Sequence, residues 1–162
     1  MKKTLPKGTA WNAALKLLAG SDKSASQLQE RLAEKGFGSG EIEEALERLK
    51  THHVLNEEEA AKRVVAKGIG NRRGRKRIAF ELNRHGFRGE SVRAALSLLT
   101  PEIEEESMEL AAEKFWRRTA SRQFLKRMKS LADFLARSGF ESARVFEFVE
   151  KWQTRHVEKG CD

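Results

Sequence analysis

The side chains in this sequence whose types and spacing could do chemistry are cations, and they come in blocks. From Lys62 to Arg88 there are ten Lys or Arg and one Glu, a local balance of +9; from Lys114 to Lys129 there are seven Lys or Arg and no acid. Acids are gathered just as tightly elsewhere, with six Glu and no base from Glu102 to Glu113 and seven acids against two bases from Glu41 to Glu59. Cations massed in this way hold a polyanion, either phosphates or an acidic protein surface. The contact residues expected in the first block are Arg72, Arg73, Arg75, Lys76, Arg77, Arg84 and Arg88. Those expected in the second are Lys114, Arg117, Arg118, Arg122, Lys126 and Lys129.

Bond-making chemistry finds no foothold. His52 and His53 are adjacent, so on a helix they point about 100° apart, and His85 and His156 have no acidic or Cys partner at ligand spacing. Cys161 is the single cysteine, which rules out an intrachain disulfide and suits a reducing cytosol. Gly68-Ile69-Gly70-Asn71-Arg72-Arg73-Gly74 has the spacing G-x-G-x-x-x-G, with no strand before it, and so fails as a dinucleotide fingerprint. No catalytic residue, metal site or cofactor is expected. No apolar run is long enough to span a membrane, and Met1-Lys2-Lys3-Thr4-Leu5-Pro6 leads into no signal-peptide core.

The elements that must position the cations announce themselves by repetition. Gly36-Phe37, Gly86-Phe87 and Gly139-Phe140 recur at intervals of 50 and 53 residues. Leu32, Leu82 and Leu135 stand four residues before the glycine, and Leu28, Ile78 and Leu131 stand eight before it. After it come Ile42, Val92 and Val145, then Leu46, Leu96 and Val149, then Leu49, Leu99 and Trp152, at offsets of six, ten and thirteen. A chain that is 39% hydrophobic does not fill fifteen matched positions with apolar residues by chance. The spacing is helical on both sides of each glycine, and only two prolines interrupt the chain. This is a tandem repeat.

Each glycine reads as the left-handed residue that closes a helix, with the next Phe folding back over the helix end. Ser39, Gly89 and Ser142 are the expected N-caps of the following helices. Ser24 with Gln27, and Asn56 with Glu59, have capping-box spacing, and Thr100-Pro101 places a cap before a first-turn proline. Many glutamates then fall in first turns, where the helix dipole favours them. Leading helices over 10–19, 57–69 and 102–118 complete an all-α fold of nine helices in three three-helix repeats. The repeats span 10–55, 56–100 and 101–156, between a flexible N-terminus (1–9) and a C-terminal tail (157–162). Stacking between neighbours supplies much of the stability of such units. The connection Gly70–Gly74 is the expected mobile point.

Arg73, Arg77 and Arg84 share one stripe of the helix over 74–85, while Arg122, Lys126 and Lys129 share another over 121–137. Helix-turn-helix reading of an operator is disfavoured. The helices after Gly36 and Gly139 are acidic, with Glu41, Glu43, Glu44 and Glu47 on one and Glu141, Glu147 and Glu150 on the other. Trp11, Trp116 and Trp152 sit among apolar neighbours and read as core, with Trp116, beside Arg117 and Arg118, retained as a contact candidate.

These residues resemble the RecX family of recombinase regulators. The resemblance rests on Val54-Leu55-Asn56-Glu57, then Gly74, Arg77, Ile78, Leu82 and Gly86-Phe87, then Val92, Ala95 and Leu96. Leu28, Leu32, Lys35, Gly36 and Phe37 resemble the family's opening unit, and the match covers about residues 10–155. The sequence departs from the family pattern at Ala60 or Ala61, where Phe is usual, and at Arg75, where proline is common. The resemblance implies elongated, curved helical repeats in a cytoplasmic, non-enzymatic monomer. Such a protein binds the RecA recombinase filament and inhibits its ATPase, strand-exchange and co-protease activities, with weak, non-specific binding to single- or double-stranded DNA. The alternative is a stand-alone DNA-binding protein, architectural or helix-turn-helix-like.

Overall fold

The computed structural model describes residues 8–121 and 123–157. Among them the chain is entirely helical. The helices are α1 (Ala10–Gly20), α2 (Ala25–Glu34), α3 (Ser39–Thr51), α4 (Glu57–Gly70), α5 (Arg75–Arg84), α6 (Gly89–Leu96), α7 (Pro101–Arg118), α8 (Phe124–Arg137) and α9 (Ser142–Val157). They form successive helix triplets, each with a Gly-Phe turn between its second and third helix. Arg122, Cys161 and most of the two ends expected to fray (1–7 and 158–162) lie outside the described residues.

All three turns close in the same way. Gly36, Gly86 and Gly139 have φ of 91°, 81° and 93°. The glycine N–H donates to the carbonyl three residues back (Ala33, Asn83, Ala136) at 2.9–3.0 Å, and the Phe N–H to the one five back (Leu32, Leu82, Leu135) at 3.1–3.3 Å. That is the Schellman pattern, and it requires a left-handed residue at the glycine position. Phe37, Phe87 and Phe140 then bury completely or nearly so. Of the fifteen repeated apolar positions, only Val92, Leu96 and Val149 are less than fully buried. Burying each such side chain contributes about 1.5–3 kcal/mol.

The caps depart from expectation by one residue. Ser39 and Gly89 are the first helical residues of α3 and α6, whose caps are Gly38 and Arg88; Ser142 likewise opens α9. At α3 the Gly38 cap offers no side-chain acceptor, and Glu41 Oε2 makes only the reciprocal half of a capping box by accepting the Gly38 N–H at 2.9 Å. At α6 the Ser91 hydroxyl donates to the Arg88 carbonyl at 2.9 Å. Ser24, Asn56 and Thr100 do cap, accepting the N–H groups of Gln27, Glu59 and Ile103 at 3.1–3.3 Å.

The chain clusters into two compact units, Met1–Val64 with Glu81–Leu98, and Val65–Phe80 with Leu99–Asp162. The residues of the second expected repeat, 56–100, are divided between them. In the first unit α1, α2 and α3 pack on one another around Leu28, Leu32, Ile42 and Leu49. In the second, α8 packs on α7 and on α9 around Met108, Leu131, Leu135, Phe140 and Trp152.

Each unit contains one copy of the same junction. In the first, the Ser24 N–H donates to the His85 carbonyl at 3.0 Å, just before Gly86, and the Ala25 N–H donates to Glu57 Oε1 at 2.6 Å. In the second, the Gly74 N–H donates to the Ser138 carbonyl at 2.9 Å, just before Gly139, and the Arg75 N–H donates to Glu104 Oε1 at 3.0 Å. The start of one triplet's middle helix is thus docked on the Gly-Phe turn of the next triplet, and a glutamate from that triplet's leading helix caps it. The junction also explains why the Ser24 capping box is only half closed. The Gln27 amide does not return to Ser24 but donates to the Arg84 carbonyl at 2.7 Å.

Candidate anion-binding site

The second unit holds a cavity of about 700 Å³ that gathers much of its positive charge. The sequence builds it from three places. The turn after α4 supplies Asn71, Arg72 and Arg73, with Arg77 following on α5; the end of α7 supplies Lys114 and Arg118; the end of α8 supplies Arg137. No carboxylate lines it. One wall is apolar, where the Phe115 and Phe134 rings stack at 5.0 Å between centroids and 23° between planes.

The turn expected to be the chain's mobile point is firmly bonded. The Asn71, Arg72 and Arg73 N–H groups donate to the carbonyls of Lys67, Ile69 and Gly68 at 2.8–3.0 Å, and Gly74 makes the junction bond to Ser138. Arg72 takes the left-handed conformation, φ 56°, without being glycine. Its Nε is buried with no hydrogen-bond partner. The Lys76 N–H donates to the Gly139 carbonyl at 3.0 Å, which fixes α5 against the end of α8. Glu104, nearly fully buried, holds the Arg75 N–H with one oxygen and Arg144 with the other at 2.8 Å. Gly68 and Gly70, read above against a nucleotide fingerprint, lie inside α4. The role of Gly68 there is close packing, since a Cβ on it would come within 2.5 Å of the Ile78 side chain.

The cations around the cavity have unequal explanations. Lys114 and Arg118 near the end of α7, and Arg137 at the end of α8, sit where a helix dipole welcomes positive charge. Arg72, which closes the C-terminal end of α4, is favoured in the same way, whereas Arg77 in the first turn of α5 is not. The first turn of α5 contains no acid and begins Arg75-Lys76-Arg77, against the dipole preference. Positions that break a local rule in this way are where functional or strained sites are to be sought, and here Arg75 bonds the Leu99 carbonyl while Arg77 lies 5.6 Å from the Phe80 ring centroid.

Of the contact residues expected from sequence, Arg72, Arg73, Arg77, Lys114 and Arg118 come together at the cavity. Arg75 turns away, its guanidinium donating to the Leu99 carbonyl. Lys76, Arg117, Lys126 and Lys129 are exposed elsewhere. Arg84 and Arg88 belong to the other unit, with Arg84 3.4 Å from Glu81. Sequence reading missed Arg137. The signal was present, since Arg137 stands two residues before Gly139 just as Arg84 stands two before Gly86.

Trp116 is engaged in packing. The Arg127 guanidinium lies 3.6 Å from its ring centroid and donates to its carbonyl at 2.7 Å. Phe124, Trp152 and His156 meet the ring edge-on at 5.0–6.1 Å. Burial pushes the Arg127 guanidinium below its ordinary range. Part of the second basic block is therefore structural. Among the described residues no cluster of His, Cys, Asp or Glu could hold a metal ion, and no helix is long and apolar enough to cross a membrane.

Comparison with known proteins bears on the identity of this arrangement. Residues 10–49 match the family model for the first three-helix domain of RecX. The chain is 30% identical over 151 residues to the regulatory protein RecX of Syntrophotalea carbinolica, covering 90% of this chain and 97% of that protein. It is 27% identical over 133 residues to the regulatory protein RecX of Clostridioides difficile, spanning 62% of that protein's length. The fold matches the crystal structure of RecX from Lactobacillus salivarius with a TM-score of 0.72 at 20% identity, covering 90% of this chain and 94% of that one. With the helix triplets and near full-length similarity together, the chain belongs to the RecX family of regulatory proteins.

Proposed function

We propose that this protein binds the RecA recombinase and its nucleoprotein filament and inhibits the filament's ATPase, strand-exchange and co-protease activities. In this reading it acts as a cytoplasmic monomer in DNA repair and the SOS response, by binding and not by catalysis. The observation that carries the reading is similarity along almost the whole chain to proteins named regulatory protein RecX. The charge map supports it. A recombinase filament on single-stranded DNA offers acidic protein surface and phosphates side by side, and this chain carries separate cationic and acidic regions.

The test is RecA's single-stranded-DNA-dependent ATPase, titrated with this protein. Inhibition at or below one protein per recombinase subunit is the expected result. An unchanged ATPase and unchanged strand exchange at stoichiometric excess would sink the reading. A control without recombinase measures the alternative, a stand-alone DNA-binding protein. That reading requires tight binding to DNA alone, lost steeply as salt is added.

A further inference from the structure

We propose that the cavity between the turn after α4 and the ends of α7 and α8 is a binding site for a nucleoside triphosphate. The cations Arg72, Arg73, Arg77, Lys114, Arg118 and Arg137 would hold its phosphate chain, and the Phe115–Phe134 wall its base. This goes beyond the recombinase reading and is tested without recombinase.

Four observations carry it. First, six cations face one cavity with no carboxylate in its lining, and among the described residues Arg72, Lys114, Arg118 and Arg137 make no ion pair. Those four like charges repel one another, and a bound polyanion removes that cost. Second, the Arg72 Nε is buried without a partner, and a buried donor left unpaired is an exception that calls for a ligand or another explanation. Third, Arg72 closes α4 in the left-handed conformation, its N–H and that of Arg73 bonded to the Ile69 and Gly68 carbonyls, which fixes the base of its side chain at the cavity. Fourth, Arg73 just before α5 and Arg77 in its first turn line the cavity at a helix start, where the dipole opposes cations. The first N–H groups of α5 are already engaged by Glu104 and Gly139, so side chains, not the helix end, would grip the anion.

Size and charge density choose the ligand. A volume of about 700 Å³ lies within the ordinary range of small-molecule sites, about 300–1,000 Å³. A nucleic-acid strand carries one charge per nucleotide, so the short stretch such a cavity admits would bring few negative charges to it. A triphosphate chain concentrates several charges in the same space. Arginine forks suit phosphate oxygens, and the adjoining apolar wall suits a base better than bare inorganic phosphate does.

The experiment is calorimetric titration of the full chain at about 0.15 M ionic strength with ATP, with inorganic tripolyphosphate and with a short dT oligonucleotide. The expected result is saturable one-to-one binding of ATP, with tripolyphosphate binding several-fold more weakly at the same site. Arg118→Gln with Arg137→Gln, both exposed positions, is expected to weaken ATP at least tenfold without changing the melting temperature. Arg72→Asn keeps a residue type that tolerates the left-handed region and is expected to do the same. Phe134→Leu is expected to weaken ATP towards the tripolyphosphate value. Arg31→Gln, a control in the other unit, is expected to leave binding unchanged. Absence of saturable ATP binding at millimolar concentration overturns the proposal, as does ATP binding indifferent to Arg118 and Arg137. Oligonucleotide binding that neither ATP nor tripolyphosphate displaces overturns it too, and makes the cavity a strand contact.

Discussion

Gly74 lies so close to Gly139 that a Cβ on Gly74 would stand 2.4 Å from the Gly139 carbonyl carbon and 2.3 Å from the Phe140 nitrogen. The obstacle is backbone on both sides, locked by the Gly74–Ser138 and Lys76–Gly139 hydrogen bonds, so it cannot swing aside as a side chain would. Gly74→Ala should therefore destabilise the protein by at least the about 1–3 kcal/mol typical of overpacking. Thermal unfolding checks this. An unchanged melting temperature would mean that the junction is loose in solution.

Glu104 supports the same junction from α7. Glu104→Ala removes the acceptor of the Arg75 N–H and leaves Arg144, about a third exposed, without its carboxylate. A cost of about 1–3 kcal/mol is expected from the stranded N–H, with little added by Arg144 because water screens it. Chemical denaturation measures it, and Glu104→Gln, which keeps an acceptor, should recover much of the loss.

Leu82 is fully buried one turn before Gly86. Leu82→Ala should cost about 2–5 kcal/mol, the range for buried leucine truncation. A near-zero effect in equilibrium denaturation would show that the repeated apolar register is not the core.

Arg127 should behave unlike its basic neighbours. Arg127→Ala removes a cation from the face of Trp116 and a donor from its carbonyl, and about 2 kcal/mol or more is expected where a cation–π contact is desolvated. Tryptophan fluorescence should shift with it. By contrast, Arg117→Glu with Lys126→Glu and Lys129→Glu changes exposed positions. Each should stay within about 0.5 kcal/mol of neutral for folding and, on the proposed function, raise the concentration needed to inhibit RecA's ATPase. If folding fails in this variant, those cations are structural after all.

What could be read from sequence follows from which interactions leave a mark on residue type. A positive φ favours glycine, so Gly36, Gly86 and Gly139 were legible, and with them the register of the helices on either side, while the same conformation at His53 and Arg72 left no such mark. The cap of α3 was misplaced by one residue because Gly38 caps through backbone conformation alone, with no side-chain acceptor to mark it in the sequence. The junction bonds were invisible. Ser24 to His85 and Gly74 to Ser138 join backbone to backbone and favour no side chain. At the candidate site, counting charge along the chain found Arg72 and Lys114 but overlooked Arg137, which lies beyond Asp133 and outside the basic run. The same counting included Arg127 in the second basic block without assigning it a role, because nothing in its neighbours' identities says that it covers Trp116.

The two junctions have an evolutionary consequence. Each is written in main-chain groups, one glycine and one glutamate, and asks almost nothing of the solvent-facing residues of the helices it joins. Mutation is therefore free to recolour one triplet without breaking its attachment to the next. A duplicated ancestor could in this way give the glutamate-rich surface of α3 and the arginine-rich surface beside α5 in a single chain. Specialisation of one copy for a new ligand needs no invention of a new architecture.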